Sequence, residues 1–239
     1  MRLPFRAPAA NRPGMIMVAI EGIDGSGKGT ATRAVCALLE EAGLTVATQS
    51  FPNYGKTAAA HAVQAVLNGE VKVDSAYYLA SLFSLDRAET FLTSAMPEVD
   101  VVVFDRYVLS NAAFQMVRLP EAERDAFLTW LFDYEYNRLG VPKPDLNILM
   151  RIDPEIAAQW VAKKAARSYT SATRDAFEAD DTYQQRVSDA YSSIATRQVN
   201  GPWAIVEVAD ADGMKTPEAI AAECLALIQA AIAAKSANG

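Results

Sequence analysis

The chain contains little cysteine and histidine, with two cysteines and one histidine among 239 residues. Cys36 and Cys224 each lie in an apolar helical pattern, which favours small buried hydrophobes over a disulfide. His61 is the single histidine, so the sequence offers no cysteine–histidine cluster for structural zinc, and we assign His61 no role. Sparse cysteine is typical of a reducing compartment, and we expect a cytoplasmic protein.

The chain also lacks an excess of basic residues and a long apolar run. Its formal net charge is −7, from 22 basic and 29 acidic side chains. Sequence-independent binding of nucleic acid needs clustered lysine and arginine, so we expect no nucleic-acid partner. No apolar run reaches the roughly 18 residues of a membrane span, so we expect no membrane partner.

Residues 1–14 lack the apolar stretch of a secretory signal, although they include three arginines and three prolines. We expect a disordered leader there, with a start-site artefact as the alternative. The remaining residues, 15–239, are enough for one well-buried core or for a main domain with a small mobile insert.

Strand-like apolar runs alternate with helical patterns along the rest of the chain. The predicted strands are Ile16–Ile20, Thr45–Ser50, Val99–Phe104, Leu146–Ile152 and Ala204–Val208. The predicted helices are Lys28–Ala42, Ala58–Leu67, Ser75–Met96, Glu121–Tyr136, one beginning at Pro154, and Pro217–Ala234. This alternation predicts an α/β fold with a five-stranded parallel sheet and helices on both faces. Ligands are then expected at the carboxyl ends of the strands.

A glycine-rich segment follows the first predicted strand and opens the first predicted helix. Glycines let successive backbone N–H groups turn toward a phosphate, and the helix N-terminus adds partial positive charge. The lysine of the segment can reach the β- and γ-phosphates. We therefore predict an ATP-binding phosphate loop formed by Gly22, Gly25, Ser26, Gly27, Lys28, Gly29 and Thr30.

The metal ligands of this loop are less regular. The residue after Lys28 is normally Ser or Thr, which binds Mg²⁺, but here it is Gly29 and a threonine follows one position later. Magnesium is then held through water or by Thr30. Asp105 directly follows the strand-like run VDVVVF, where a carboxylate can orient the metal. We predict Asp24, Asp105 and Thr30 as the metal-binding set.

Taken in order, these motifs resemble the thymidylate kinase family from about Met15 onward. EGIDGSGKGT is similar to the family's phosphate loop, FPNYG to the segment after its second strand, and SLFSLDRAE to its base-binding helix. DRYVLSNAAFQ is the most specific match and resembles the bacterial form. Residues 163–178 resemble the family's lid.

The resemblance implies transfer of the γ-phosphoryl group of ATP to dTMP, a step of dTTP synthesis, with Mg²⁺ as cofactor. It also implies a homodimer formed through helices that flank the sheet. The catalytic residues would be Asp24, Lys28, Arg106, Arg167 and Arg174. The residues that bind dTMP would be Asp24, Phe51, Pro52, Tyr54, Phe83, Arg87, Arg106, Ser110, Asn111, Phe114 and Gln115.

The chemistry of these side chains supports that assignment. Phe83 and Arg87 lie four residues apart, so they share a helix face and offer a stacking ring beside a guanidinium. Arg87 has only donors, which suits the O4 carbonyl of thymine, and Asn111 is expected to contact N3. Arg106 offers a fork of donors to the acceptor phosphate. Asn53 stands where bacterial relatives often carry arginine, which would weaken phosphate binding or leave more of it to Arg106.

The lid segment supplies the remaining cations. Its residues include Lys163, Lys164, Arg167 and Arg174, followed by the acidic Asp175, Glu178, Asp180 and Asp181. Because Gly25 follows Asp24 where some members carry arginine, we expect the lid to provide the catalytic cation. Two alternatives stay open: a kinase for UMP, CMP or a deoxynucleoside with the same fold, and a non-enzymatic nucleotide-binding module.

Overall fold

A five-stranded parallel sheet organises the chain in the computed structural model, which describes residues 14–167, 181–210 and 213–238. The strand order is β2-β3-β1-β4-β5. The strands are β1 (Ile16–Glu21), β2 (Val46–Ser50), β3 (Val101–Asp105), β4 (Leu146–Arg151) and β5 (Trp203–Glu207). The predicted parallel sheet is confirmed, and each strand lies within a few residues of its predicted position.

The helices of the described part follow the expected alternation. They are α1 (Lys28–Glu41), α2 (Ala58–Leu67), α3 (Ala76–Thr93), α4 (Val108–Met116), α5 (Glu121–Phe132), a π-helical segment (Asp133–Arg138), α6 (Pro154–Arg167), α7 (Asp181–Thr196) and α8 (Pro217–Asn238). A short antiparallel hairpin, β6 (Ala209–Asp210) and β7 (Gly213–Met214), follows β5.

Side chains of the central strand β1 alternate between two cores, which shows that both faces of the sheet are covered. Ile16, Val18 and Ile20 belong to the larger core, whereas Met17 and Ala19 belong to a smaller core that also includes Phe51, Phe104 and Tyr107. All six residues of β1 are buried, as expected of a strand inside a doubly covered parallel sheet.

The strand order places the ligand site. β1 lies between β3 and β4, with β2 and β3 on one side of it and β4 and β5 on the other, so the order of the strands reverses at β1. In sheets of this kind the crevice opens at the carboxyl ends of the strands next to such a reversal. β1 and β3 end there at Glu21 and Asp105, and Ile20 is in register with Asp105.

Four features differ from the sequence-based expectation. α4 was not predicted, because eight of its nine residues are buried and a helix buried all round shows no amphipathic period. α7 and the β6–β7 hairpin were not predicted either. The helix expected over Glu121–Tyr136 is α-helical only to Phe132 and continues as the π-helical segment.

The apolar length of α8 corrects another expectation. Residues Pro217–Ala237 have a mean hydropathy of 1.5 and are long and apolar enough to cross a membrane by composition alone. Their alanine content raises the hydropathy. Ile220, Ala221, Cys224 and Ile228 of this helix belong to the main core, in which Val35 of α1 also lies. We interpret α8 as a helix that covers the sheet.

Candidate active site

The phosphate loop connects β1 to α1 in a conformation that only glycine adopts readily. Gly22, Gly25 and Gly27 have φ angles of 150°, 81° and 82°. A Cβ atom on Gly22 would lie 2.8 Å from the carbonyl oxygen of Met150, and one on Gly25 would lie 2.8 Å from that of Ala157. Backbone shape and close approach therefore both require glycine at positions 22 and 25, whereas at Gly27 the requirement comes from the backbone shape alone. The same contact excludes an arginine at position 25 in this conformation.

Lys28 opens α1 with its ammonium group turned back onto the loop. Its Nζ donates a hydrogen bond of 2.7 Å to the carbonyl oxygen of Ile23. Burial lowers the pKa of Lys28 to about 8, with a further contribution from the charge of Arg106 and opposing contributions from Asp24 and Asp105. The loop thus holds a desolvated cation whose charge an anionic phosphate would stabilise.

Asp24 and Arg106 form an ion pair beside the loop. Arg106 also donates to the carbonyl oxygen of Gly22 at 3.2 Å, and its guanidinium lies 5.1 Å from the centre of the Phe114 ring. Burial alone would raise the pKa of Asp24, but Arg106 and Lys28 together bring it below the ordinary value. Asp24 is therefore ionised at neutral pH.

Arg106 has an unusual backbone conformation for a residue other than glycine. Its φ angle is 63°, in the left-handed region that non-glycine residues rarely occupy. Its backbone N–H donates to the carbonyl oxygen of Ile20 at 3.0 Å, which ties the residue to the end of β1. Strained backbone of this kind is concentrated at functional sites, and here it places the guanidinium against Asp24.

A buried carboxylate that the sequence analysis did not single out, Glu21, anchors the start of α4. It accepts hydrogen bonds from the backbone N–H groups of Tyr107 at 3.0 Å and Ser110 at 3.2 Å, and from the hydroxyl of Tyr191 at 3.1 Å. Burial raises its pKa. An acidic residue ending a fully buried strand was the available signal, because such a charge needs partners.

A cleft next to the Asp24–Arg106 pair gathers the predicted acceptor residues. Its volume is about 770 Å³ including the part open to solvent. It is lined by all eleven side chains expected to contact dTMP: Asp24, Phe51, Pro52, Tyr54, Phe83, Arg87, Arg106, Ser110, Asn111, Phe114 and Gln115. Five further lining residues were not predicted: Leu67, Leu79, Tyr107, Arg118 and Tyr183. The binding roles stay predictions.

The lining of the cleft also includes a buried arginine of α3. Arg87 is 1% exposed and pairs with Glu135 of the π-helical segment. Although burial disfavours its charge, Glu135 holds the pKa of Arg87 above the ordinary value. Glu135 was missed by the sequence analysis, since nothing local marks a partner 48 residues away.

The carboxylates near the loop suit magnesium. Asp105 Oδ2 lies 3.5 Å from the position that a Cβ on Gly29 would take, so this side chain faces the start of α1. The hydroxyl of Thr30 is exposed and accepts a bond of 3.4 Å from Arg33. Among the described residues no three acidic, histidine or cysteine side chains cluster as an all-protein metal cage. Mg²⁺ commonly uses one or two carboxylates together with substrate phosphates, which the pair Asp24 and Asp105 fits.

Two other expectations concern the rim. The Asn53 side chain donates to the Thr90 hydroxyl at 3.0 Å and its backbone N–H donates to Asp86, so it is held away from the cleft lining.

For the lid, α6 extends to Arg167, but the side chains of Lys163, Lys164, Arg167 and Asp181 lie outside the description. Arg174, Asp175, Glu178 and Asp180 lie outside the described residues altogether.

Comparison with known proteins gives one consistent result. The family model "Thymidylate kinase" matches residues 20–210. A thymidylate kinase of Mycobacterium tuberculosis is 38% identical over 195 residues, covering 80% of this chain and 91% of the relative. One of Xanthomonas campestris is 29% identical, covering 84% and 80%. A solved thymidylate kinase structure from Candida albicans aligns with a TM-score of 0.67 at 18% identity, over 92% of this chain and 93% of that one.

Proposed function

Because the chain belongs to the thymidylate kinase family, we propose that it transfers the γ-phosphoryl group of ATP to dTMP, giving ADP and dTDP. The observation that carries this proposal is the position of the cleft. Its lining includes Asp24 and Arg106 beside the phosphate loop, and also Arg87 of α3 and Asn111 of α4. A nucleoside monophosphate in the cleft would have its phosphate next to the loop and its base against Arg87 and Asn111, the part of the cleft that we call the base end.

The phosphate loop forms the donor side. We propose that the N–H groups at the start of α1 and the Lys28 ammonium bind the β- and γ-phosphates of ATP, which is supported by the position of Lys28 in the first turn of α1 and its contact with the loop. Binding replaces the weak acceptor that Lys28 now uses, the carbonyl oxygen of Ile23, with charged phosphate oxygens. Asp105 and Asp24 are the residues that would hold Mg²⁺ together with the phosphates, and the metal would supply positive charge to the phosphate groups.

Arg106 forms the acceptor side. Its left-handed backbone and its bonds to Gly22 and Asp24 fix the guanidinium between the loop and the cleft. A fixed fork of donors binds a phosphate in a defined orientation, which lines up the attacking oxygen with the transferring group. The ionised carboxylate of Asp24 orients Arg106 and stays available to the metal. Because phosphoryl transfer depends on position and electrostatics, this prearrangement supplies much of the catalysis.

The rest of the cleft would hold the nucleoside. Phe83 and Phe114 present aromatic rings, and Tyr54, which is 48% exposed, lies at its rim. We propose that Phe83 stacks on the base, that Phe114 limits space near the sugar, and that Arg87 and Asn111 contact the base edge. The lid arginines Arg167 and Arg174 are proposed to complete the charge around the transferring phosphoryl group.

The test is a coupled ADP assay with ATP, Mg²⁺ and a panel of dTMP, dUMP, dCMP, UMP and CMP. We expect turnover with dTMP to exceed turnover with the cytidine nucleotides, and Lys28→Ala to abolish nearly all of it. An exposed lysine, such as Lys72→Ala, is the matched control and should keep normal turnover. No dTMP-dependent ADP release, with ready turnover of another monophosphate, would refute the proposed substrate.

We also propose a homodimer that uses α3. Tyr78, Leu85 and Leu92 are spaced seven residues apart on this helix and are 52%, 39% and 56% exposed. This spacing puts them on one helix face, where an apolar stripe favours a partner. Light scattering should give twice the chain mass for the wild type and the monomer mass for Leu92→Glu. A cytoplasmic location stays a prediction.

A further inference from the structure

Glu135 joins the residues at the base end of the cleft into one network. This carboxylate is fully buried. It accepts hydrogen bonds from Arg87 Nε at 2.6 Å, from Arg87 Nη2, from the Ser84 hydroxyl at 2.9 Å and from Asn111 Nδ2 at 3.1 Å. These donors come from α3 and α4, so a single side chain of the π-helical segment fixes the two residues that we propose contact the base.

The network decides which way the Asn111 amide points. Asn111 Nδ2 lies 2.9 Å from the carbonyl oxygen of Ala80 and 3.1 Å from Glu135 Oε1, and both of these atoms can only accept. The opposite orientation would set oxygen against oxygen at two contacts. The amide oxygen Oδ1 is left buried without a hydrogen-bond partner in the described part of the protein. A residue that lines the cleft therefore carries an unused acceptor.

Arg87 is fixed by the same carboxylate. Two of its N–H groups, on Nε and Nη2, are directed at Glu135. The guanidinium lines the cleft and retains further N–H donors for a ligand. The base end thus has a donor from Arg87 and, on Asn111, an acceptor that is buried and has no hydrogen-bond partner among the described residues.

This combination of a donor on Arg87 and an acceptor on Asn111 is complementary to thymine but not to cytosine. Thymine offers the O4 acceptor and the N3–H donor, whereas cytosine offers an amino donor and an N3 acceptor at the same two positions. We propose that Glu135 is the positioning residue that sets the polarity of base recognition, acting through Arg87 and Asn111 without touching the base. This inference rests on the proposed function, because it concerns the choice among monophosphates by that site.

The local fold places Glu135 for this role. α5 ends at Phe132 and the backbone continues as the π-helix Asp133–Arg138, in which Glu135 is the buried residue. A π-helical turn shifts side chains relative to a continuous α-helix and is frequent at functional sites. A buried carboxylate is costly unless its acceptors are satisfied, and here four donors satisfy it. Neutralising Arg87 alone would not require the bonds to Ser84 and Asn111.

The test compares Glu135→Gln with the wild type in the ratio of kcat/KM for dTMP to kcat/KM for dCMP. Glutamine keeps the shape but places an NH₂ group against Arg87 or Asn111, so the Asn111 amide can lose one of its two orienting acceptors and keep only the carbonyl oxygen of Ala80. We expect the ratio to fall at least about tenfold, since unpaired polar groups dominate such discrimination. The KM for ATP should stay unchanged. Glu123→Gln, the same substitution at an exposed position of α5, should match the wild type.

The possible outcomes separate the hypotheses. If the wild type does not phosphorylate dTMP, the proposed function fails. If the wild type prefers dTMP and Glu135→Gln loses rate on both substrates with an unchanged ratio, Glu135 only supports the fold and our inference is overturned. Should Glu135→Gln fail to fold, Ser84→Ala decides the matter. It removes one hydroxyl bonded to both Glu135 and Asn111 and should lower the ratio about threefold, whereas an unchanged ratio overturns the inference.

Discussion

The desolvated lysine of the phosphate loop makes a prediction that links stability, pH and nucleotide binding. Lys28 is held with a pKa of about 8 instead of 10.5, chiefly because burial disfavours its charge. At about 1.4 kcal/mol for each pH unit, the free protein would carry a penalty of at most about 3 kcal/mol for the charged form. Lys28→Met keeps the length of the side chain and removes the charge, so it should stabilise the free protein at pH 7.

The sign follows from proton binding. Below pH 8 the lysine is protonated in both the folded and unfolded states, and the folded state bears the whole penalty. Between about pH 8 and pH 10.5 the folded protein loses the proton while the unfolded chain keeps it. Stability of the wild type should therefore rise with pH across that window relative to Lys28→Met, and the two should differ little above it.

The affinity for ATP should change with pH in the opposite direction to stability and fall as the pH rises. Anionic phosphates favour the protonated lysine, so binding above pH 8 requires uptake of a proton. With a free-enzyme pKa of about 8, ATP affinity of the wild type should be about tenfold weaker at pH 9 than at pH 7. Lys28→Met should bind ATP weakly with no such dependence.

Urea unfolding of both proteins at pH 7, 8, 9 and 10, together with ATP titrations at pH 7 and 9, provides the assay. Using the difference between the two proteins cancels the titration of tyrosines and cysteines common to both. A difference in unfolding free energy that stays constant from pH 7 to pH 10 would refute the reasoning, because Lys28 would then not be desolvated. Equal ATP affinity at pH 7 and 9 in the wild type would refute the functional half.

Three further perturbations test other parts of the site. Gly25→Ala should weaken ATP binding at least about tenfold, because its Cβ would lie 2.8 Å from a carbonyl of α6. Gly55→Ala, also at positive φ but in open space, is the control for backbone strain. Equal ATP affinity in the two variants would contradict this prediction. Arg87→Ala leaves a buried carboxylate unpaired and should cost about 3–5 kcal/mol of stability in urea unfolding. The variant should also lose more affinity for dTMP than for ATP. If it still discriminates between dTMP and dCMP as the wild type does, Arg87 does not recognise the base. Arg167→Ala or Arg174→Ala should lower kcat at least about a hundredfold with little change in KM, and a double variant with wild-type kcat would show that the lid supplies no catalytic cation.

The phosphate loop could be predicted because its requirements are local. A strand, a run with Gly22, Gly25 and Gly27, and a lysine at the first turn of the next helix specify the backbone conformation over fewer than ten neighbouring residues. The positive φ angles at all three glycines follow from that pattern. The strand positions were likewise predictable, since fully buried parallel strands read as continuous apolar runs.

The buried carboxylates could not be predicted in the same way. Glu21 ends a strand and Glu135 lies in the charged π-helical segment DYEYNR, where an acidic residue normally faces solvent. Their partners are separated in sequence by 86 residues for Tyr107 and 48 residues for Arg87. No periodicity reports a contact of that kind, because it arises only when the elements are packed.

The sequence by itself determined the class of fold, the phosphate loop and the family, because each rests on short segments whose residues act together. Only the tertiary structure decided how the base end of the cleft is polarised. The strand order β2-β3-β1-β4-β5 and the packing of α3, α4 and the π-helical segment bring Arg87, Asn111 and Glu135 together. A buried amide has two orientations of nearly equal shape, and only the acceptors around it, supplied by distant parts of the chain, choose between them.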